Sequence, residues 1–149
     1  MTPEQVLAAV PQQKPFRFID RIVELSEEHI VGGYRFAPDE FFYAGHFPGN
    51  PVTPGVILTE AMAQTGVVAL GLYLASLKVD ADELSSWTTF FSECQVDFVR
   101  PVFPGENVTI KGNKVFYRRM KLKCNVRLYL ESGELAAEGI LAGMGVRNG

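Results

Sequence analysis

One histidine in this sequence has a setting suited to acid–base chemistry. His46 lies between Gly45 and the pair Phe47-Pro48, in a run from 41 to 54 that holds three prolines and two glycines. Such a run excludes a regular helix or strand and predicts a rigid loop, which its aromatic residues would partly bury. An imidazole in that loop can act as a general base. The other histidine, at position 29, begins a charged strand and is predicted to be exposed.

A carboxylate follows the histidine in an apolar segment. Glu60 lies in the stretch 56–77, and Gln64 lies one helical turn further on the same face. A carboxylate near a helix start can simply be stabilised by the helix dipole. Its apolar neighbours instead predict burial, which would raise its pKa and let it give a proton near neutral pH. These neighbours are Ile57, Leu58, Ala61 and Met62.

The start of the same helix supplies a third chemical element. Pro54 favours a helix that begins at Gly55 and runs to about Leu77. The first amides, those of Gly55 and Val56, would have no partner in the helix and would lie at its positive end. They could bind a carbonyl oxygen that becomes enolate-like. A base, an acid and an oxyanion site together favour proton abstraction next to a carbonyl.

The elements that position these groups are one long helix and several strands. Residues 120–130 alternate apolar and polar, which predicts an antiparallel strand with one wet face. The pattern predicts a single α+β domain, 1–149, in which a curved antiparallel sheet wraps the long central helix. A short helix is predicted from Thr2, and 80–86 is predicted to be a polar connection. The remaining strands are predicted near 16–25, 29–36, 88–99, 107–117 and 134–146.

Composition excludes several classes of protein. The net charge of −3 does not suit a nucleic-acid partner. Cys94 and Cys124 lack metal-site spacing and are expected to be reduced, partly buried thiols; no metal is expected. The stretch 56–77 could span a bilayer by length, but Glu60 and Gln64 would be expensive in lipid. No membrane association is predicted, and the N-terminus lacks signal-peptide features, so a cytoplasmic location is expected.

The residues around the histidine and the carboxylate resemble a known family. The segments GHFPGNPVTPGV, 45–56, and TEAMAQ, 59–64, are similar to those of FabZ-type 3-hydroxyacyl-acyl-carrier-protein dehydratases. PFRFIDR, 15–21, and FVRPVFPGE, 98–106, resemble the family's first strand and a later strand and turn. The resemblance covers nearly the whole chain, and its most specific part runs from His46 to Glu60.

The resemblance implies a hot-dog fold and a cofactor-free elimination of water, which converts a 3-hydroxyacyl thioester to the trans-2-enoyl thioester. By that resemblance His46 is the base at C2, and Glu60 assists departure of the C3 hydroxyl. The Gly55 backbone polarises the thioester carbonyl. Gln64, Phe47 and Pro48 are supporting residues, and strained or cis backbone is expected next to His46.

The same resemblance implies an assembly. It predicts a homodimer, or a trimer of such dimers, in which His46 and Glu60 meet from different subunits. An exposed sheet edge would also gain from pairing with a second copy.

Two other functions fit the predicted fold. A thioesterase would hydrolyse the same class of thioester, but thioesterases of this fold typically have no Gly-His-Phe-Pro loop. A non-catalytic acyl-binding or assembly subunit could lose His46 or Glu60, and this chain keeps both.

The substrate partner implied by the resemblance is an acyl carrier protein that bears a 3-hydroxyacyl chain. Local positive charge would speed its encounter with an acidic carrier. Arg118 and Arg119 are candidates within a basic strip on two neighbouring strands, although such a strip can also be a plain solvated face. Arg17 and Arg100 are competing candidates, and Lys14 is a further one. The other members of the strip are Lys111, Lys114, Lys121, Lys123 and Arg127.

Overall fold

Six strands form one antiparallel sheet in the computed structural model, which describes all residues from Met1 to Gly149. The sheet order is β1-β2-β4-β5-β6-β3, so β1 and β3 are the two edges. The strands are β1 (Arg21–Leu25), β2 (His29–Arg35), β3 (Trp87–Phe98), β4 (Asn107–Arg118), β5 (Lys121–Tyr129) and β6 (Leu135–Arg147). The predicted alternation is confirmed in β5, because Leu122, Cys124, Val126 and Leu128 are all buried.

The long helix α2, Gly55–Ser76, lies against this sheet and confirms the predicted α+β architecture. Its central part, Gln64–Ala69, has the wider hydrogen-bonding pattern of a π-helix, and it contacts β2, β4, β5 and β6. The helix is long and apolar enough to cross a membrane, but 67% of its most apolar window is buried inside the protein. It is therefore the core helix of the fold.

Two glycines let the helix approach the sheet closely. A Cβ on Gly66 would lie 2.6 Å from a methyl group of Val126, and a Cβ on Gly112 would lie 3.0 Å from the Cα of Gly66. The first distance is shorter than real side chains show, and the second is tighter than most Cβ contacts, so the two glycines allow a close approach of helix and sheet. This contact fixes the height of α2 above the sheet and thereby the position of Glu60.

Some predicted boundaries were wrong. The strand predicted at 16–25 begins only at Arg21. The polar connection at 80–86 contains a short helix, α3 (Ala81–Ser85). The carboxylate of Asp80 caps the start of this helix. Met120 lies in a tight turn with Arg119, where both residues have positive φ, rather than in β5.

The N-terminal helix begins where the sequence predicts. Helix α1 (Pro3–Ala9) begins with the predicted capping box of Thr2 and Gln5.

Both cysteines have free thiols. Cys124 is buried as expected, whereas Cys94 is exposed on the edge strand β3. Burial raises the pKa of Cys124 to about 12.

Candidate active site

The loop that carries His46 is held by hydrogen bonds at both ends. The amide of Val52 donates to the carbonyl oxygen of His46 at 2.9 Å, which closes the loop on itself. The hydroxyls of Tyr43 and Thr53 lie 2.7 Å apart in the core, and the Thr53 amide donates to the Val102 carbonyl at 2.9 Å. The loop is thus anchored on each side of the histidine, and residues 41–54 form no regular helix or strand, as predicted.

The imidazole of His46 has a defined tautomer. Its Nδ1 lies 2.8 Å from the carbonyl oxygen of Val52. Because a carbonyl oxygen only accepts hydrogen bonds, Nδ1 carries the proton, and Nε2 of the neutral ring is left with a free lone pair. The ring of Phe47 stacks on the imidazole with centroids 4.1 Å apart. The peptide bond between these two residues is cis, as expected. Pro48 is exposed on the same loop.

Glu60 accepts a hydrogen bond from Gln64, and the side-chain amide of Gln64 is itself hydrogen-bonded through both its nitrogen and its oxygen. Gln64 is 0% exposed, and its Nε2 donates to Glu60 Oε2 at 2.8 Å and to the Phe16 carbonyl at 3.0 Å. Its Oε1 accepts from the Phe18 amide at 2.6 Å. Burial raises the pKa of Glu60 above its usual range, and the hydrogen bond from Gln64 opposes part of that rise. The carboxyl is therefore suited to hold and release a proton.

The start of α2 presents the two amides that the sequence suggested. Neither the Gly55 nor the Val56 amide donates a hydrogen bond within the chain, since the first bonds to Pro54 come from Ile57 and Leu58. The Cα of Gly55 faces the ring of Phe98, because a Cβ there would lie 3.2 Å from that ring. Val56 is 77% exposed. These amides are available to a carbonyl oxygen.

Within one chain the structure does not bring His46 and Glu60 together. No hydrogen bond joins them, since His46 binds Val52 and Glu60 binds Gln64. Glu60 lines a cavity of about 160 Å³ that His46 does not line. The other lining residues of this cavity are Gln12, Ala63, Val67, Val68, Thr89, Phe90 and Phe91.

A second cavity shares two lining residues with the first. Val67 and Thr89 line both cavities. The second cavity, of about 40 Å³, extends between the last turns of α2 and the β4–β5 turn, where Trp87, Tyr117 and Met120 line it. The two cavities together lie between Glu60 and the end of the molecule that carries Arg118 and Arg119.

The four candidate docking residues have different surroundings. The guanidinium of Arg17 donates to main-chain carbonyls, among them that of Leu7 at 2.5 Å, so it fastens α1 to the segment before β1. Arg100 pairs with Glu134 at 3.0 Å and donates to the Leu135 carbonyl. Arg118 and Arg119 are exposed at the β4–β5 turn.

Much of the remaining basic strip is paired with carboxylates. Lys114 pairs with Glu28, Lys123 with Glu93, and Arg127 with Glu138. The strip is therefore less basic than its sequence suggests. Arg118 and Arg119 are exposed, and the structure shows no carboxylate partner for either of them.

Sequence reasoning missed one polar residue of the site. Gln12 lines the Glu60 cavity, yet it lies in the irregular segment between α1 and β1, far from Glu60 along the chain. No periodicity or motif marks such a residue, because only the tertiary fold places it there.

Replacing Gln64 tests how strongly its network holds the site. Gln64→Met is nearly isosteric but leaves the Phe18 amide and the Phe16 carbonyl without their partner. We expect a loss of about 2–4 kcal/mol in the free energy of unfolding, measured with urea. Gln13→Met is the matched control, since Gln13 is exposed and should change stability by less than about 0.5 kcal/mol. Equal stability of the two variants would contradict the network's importance.

Comparison with known proteins identifies relatives along most of the chain. Residues 10–139 match the FabA-like domain family. The 3-hydroxyacyl-[acyl-carrier-protein] dehydratase FabZ of Syntrophobacter fumaroxidans is 35% identical over 141 residues, which cover 95% of this chain and 92% of that protein. The protein of the same name from Caldicellulosiruptor saccharolyticus is 36% identical, with 91% and 92% covered.

Solved structures share the fold at lower identity. The dehydratase heterocomplex ApeI:P from Xenorhabdus doucetiae matches with a TM-score of 0.79 at 15% identity and covers 99% of this chain and 93% of that chain. A mutant thioesterase from Pseudomonas aeruginosa matches with a TM-score of 0.69 at 17% identity, with 99% and 96% covered. These matches show the hot-dog fold.

Proposed function

This chain belongs to the FabA-like family as a 3-hydroxyacyl-[acyl-carrier-protein] dehydratase of the FabZ type, a hydro-lyase of fatty acid biosynthesis, and we propose that His46 and Glu60 perform its chemistry. The observation that supports the assignment most is the bond between His46 Nδ1 and the Val52 carbonyl, which in the neutral ring leaves the lone pair of Nε2 free. A base is needed because the C2 proton of a thioester is only weakly acidic.

The proposed reaction uses the three groups in one elimination. His46 Nε2 takes the proton from C2, and the electron pair of that C–H bond forms the C2–C3 double bond. The C3–O bond breaks, and its oxygen takes the proton of Glu60 to leave as water. The Gly55 and Val56 amides stabilise the negative charge that develops on the thioester oxygen. Proton exchange with solvent then restores neutral His46 and protonated Glu60.

The two acid–base residues would meet in a symmetric homodimer. The outer edge of β3 has no strand partner in the chain, although this strand is 12 residues long. Phe90, Phe91 and Phe98 on it are all more than 40% exposed. A long apolar edge of this kind needs a cover, and a second copy of β3 can provide one. Phe47 and Val56, also exposed, would then lie beside the partner.

The acyl carrier protein would dock at the β4–β5 turn. Arg118 and Arg119 lie between Tyr117 and Met120, which line a cavity that shares Val67 and Thr89 with the Glu60 cavity. The flexible arm of a carrier could reach Glu60 from this side if the two cavities open into one another when the carrier binds. Lys78, which lies over the ring of Tyr117, adds positive charge nearby. We expect this end of the molecule to attract an acidic carrier.

The cytoplasmic location of the protein stays a prediction.

Charge reversal tests the docking proposal. Arg118→Glu with Arg119→Glu should raise KM for the carrier-bound substrate about tenfold and weaken its salt dependence. With a small 3-hydroxyacyl thioester the same variant should behave as wild type. Arg100→Glu is the matched control, because Arg100 is already paired with Glu134. Docking at this turn is wrong if the double variant treats both substrates as wild type does.

The function itself is tested by incubating the purified protein with a 3-hydroxyacyl carrier thioester and analysing the products by mass spectrometry. A dehydratase gives an enoyl thioester that has lost one water and is still attached to the carrier. A thioesterase would instead release the free acid and the carrier thiol. Release of the acid without an enoyl product would contradict the assignment.

A further inference from the structure

The cavity beside Glu60 contains a second polar side chain with an unused hydrogen-bonding group. Gln12 lines this cavity, and its amide oxygen is buried without any donor in the chain. Most of the remaining lining is apolar, with Thr89 as the one hydroxyl. A buried acceptor without a donor is costly, and proteins usually satisfy such groups. This amide therefore calls for a partner that the chain does not supply.

The backbone at this position is fixed, while the end of the side chain is free. The carbonyl oxygen of Gln12 accepts from the Arg17 guanidinium at 3.4 Å, and Arg17 also binds the end of α1. The neighbouring Gln13 uses its amide to bind the Val10 carbonyl. No such bond holds the amide of Gln12. Its terminal torsion is soft, so a small rotation can turn the oxygen toward the cavity.

The C3 hydroxyl already carries one hydrogen before Glu60 protonates it, and this hydrogen needs a hydrogen-bond acceptor other than Glu60. The proton from Glu60 must enter a lone pair of the C3 oxygen, whereas the hydrogen already on that oxygen must point elsewhere. In a cavity whose side chains besides Glu60 and Gln12 are apolar apart from Thr89, that hydrogen has few acceptors, and the hydroxyl could rotate to donate to Glu60 instead. An acceptor opposite Glu60 would prevent this rotation.

We propose that the Gln12 amide oxygen accepts the hydrogen bond of the substrate's C3 hydroxyl and so turns a lone pair of that oxygen toward Glu60. This inference rests on the proposed role of Glu60. In the step, the proton of Glu60 moves to the C3 oxygen as the C3–O bond breaks. Water leaves with one hydrogen still donated to Gln12. Gln12 gains and loses no proton, so it positions the leaving group.

The first test measures turnover. Gln12→Met keeps the length of the side chain and removes its hydrogen-bonding groups, and it should lower kcat by about 10- to 100-fold with a folded protein. Gln13→Met is the control and should match wild type. Wild-type turnover by Gln12→Met would overturn the inference, whereas the effect of Glu60→Gln would still decide the proposed function independently.

The second test separates positioning from a merely structural effect. In the Glu60→Gln protein, which should turn over the bound substrate about 10²- to 10⁴-fold more slowly, calorimetry can compare a 3-hydroxyacyl thioester with the saturated acyl thioester of equal length. We expect the hydroxylated chain to bind more tightly and Gln12→Met in this background to remove most of that preference. An unchanged preference would overturn the role of Gln12. Rapid turnover by Glu60→Gln would instead refute the acid role on which the inference rests.

Discussion

His46→Ala is expected to lower the rate of dehydration by about 10²- to 10⁴-fold, the usual contribution of a general base. The reason is geometric: the Val52 carbonyl fixes the proton on Nδ1 and leaves Nε2 as the accepting atom. The rate should be measured with a 3-hydroxyacyl carrier thioester, by following the enoyl product. Because the base acts in the transition state, kcat should fall much more than KM rises.

A control must show that the loss of activity comes from the missing base and not from unfolding. His29→Ala removes the other histidine, whose ring contacts Ser26 and Glu24 on the surface, and it should retain wild-type activity. Circular dichroism should show that both variants are folded. A folded His46→Ala protein with normal turnover would refute the proposed base.

Glu60→Gln is expected to reduce dehydration by a similar factor of about 10²–10⁴, because the poor leaving group at C3 then lacks its proton donor. If both residues act on one transition state, the double variant should be far less impaired than the product of the single effects. Burial holds the pKa of Glu60 above its ordinary value of 4.5, so the acid form persists to higher pH than in a free carboxyl. The wild-type rate should fall as rising pH removes this proton.

Stability provides the control for the Glu60→Gln variant. A carboxyl whose pKa is raised by folding stabilises the fold at low pH, and that contribution is lost as the pH rises through the raised value. The amide that replaces the carboxyl in this variant cannot ionise, and its oxygen can still accept a hydrogen bond from Gln64. The variant should therefore unfold no more easily than wild type at neutral pH. A large loss of stability there would mean that the activity loss is not chemical.

Much of the fold could be predicted because local signals agreed with the tertiary structure. Alternation marked β5, and the apolar run that begins at Gly55 marked α2. The hydrogen bond from Gln64 to Glu60 follows from their spacing of one helical turn. The anchored loop around His46 follows from its prolines and glycines.

The missed features depend on contacts between distant segments. Gln64 also holds the Phe16 and Phe18 backbone, which no spacing rule could show. Arg17 was a candidate for carrier docking, but its guanidinium binds the carbonyls at the end of α1. The positive φ of Arg119 and Met120 was missed because glycine or asparagine usually marks such turns. Gln12 lies beside Glu60 only because the loop before β1 passes along the Glu60 cavity.

The claim that one active site takes His46 from one subunit and Glu60 from the other is tested most directly by mixing two inactive variants. His46→Ala and Glu60→Gln proteins alone are each expected to retain about 1% of the wild-type activity or less. After denaturation together and refolding, random pairing gives mixed dimers in which one of the two sites has both residues intact. The account predicts that the mixture recovers about a quarter of the wild-type activity. If each subunit held a complete site, every site in the mixture would lack one residue, and a mixture that stays as inactive as its components would contradict the shared site.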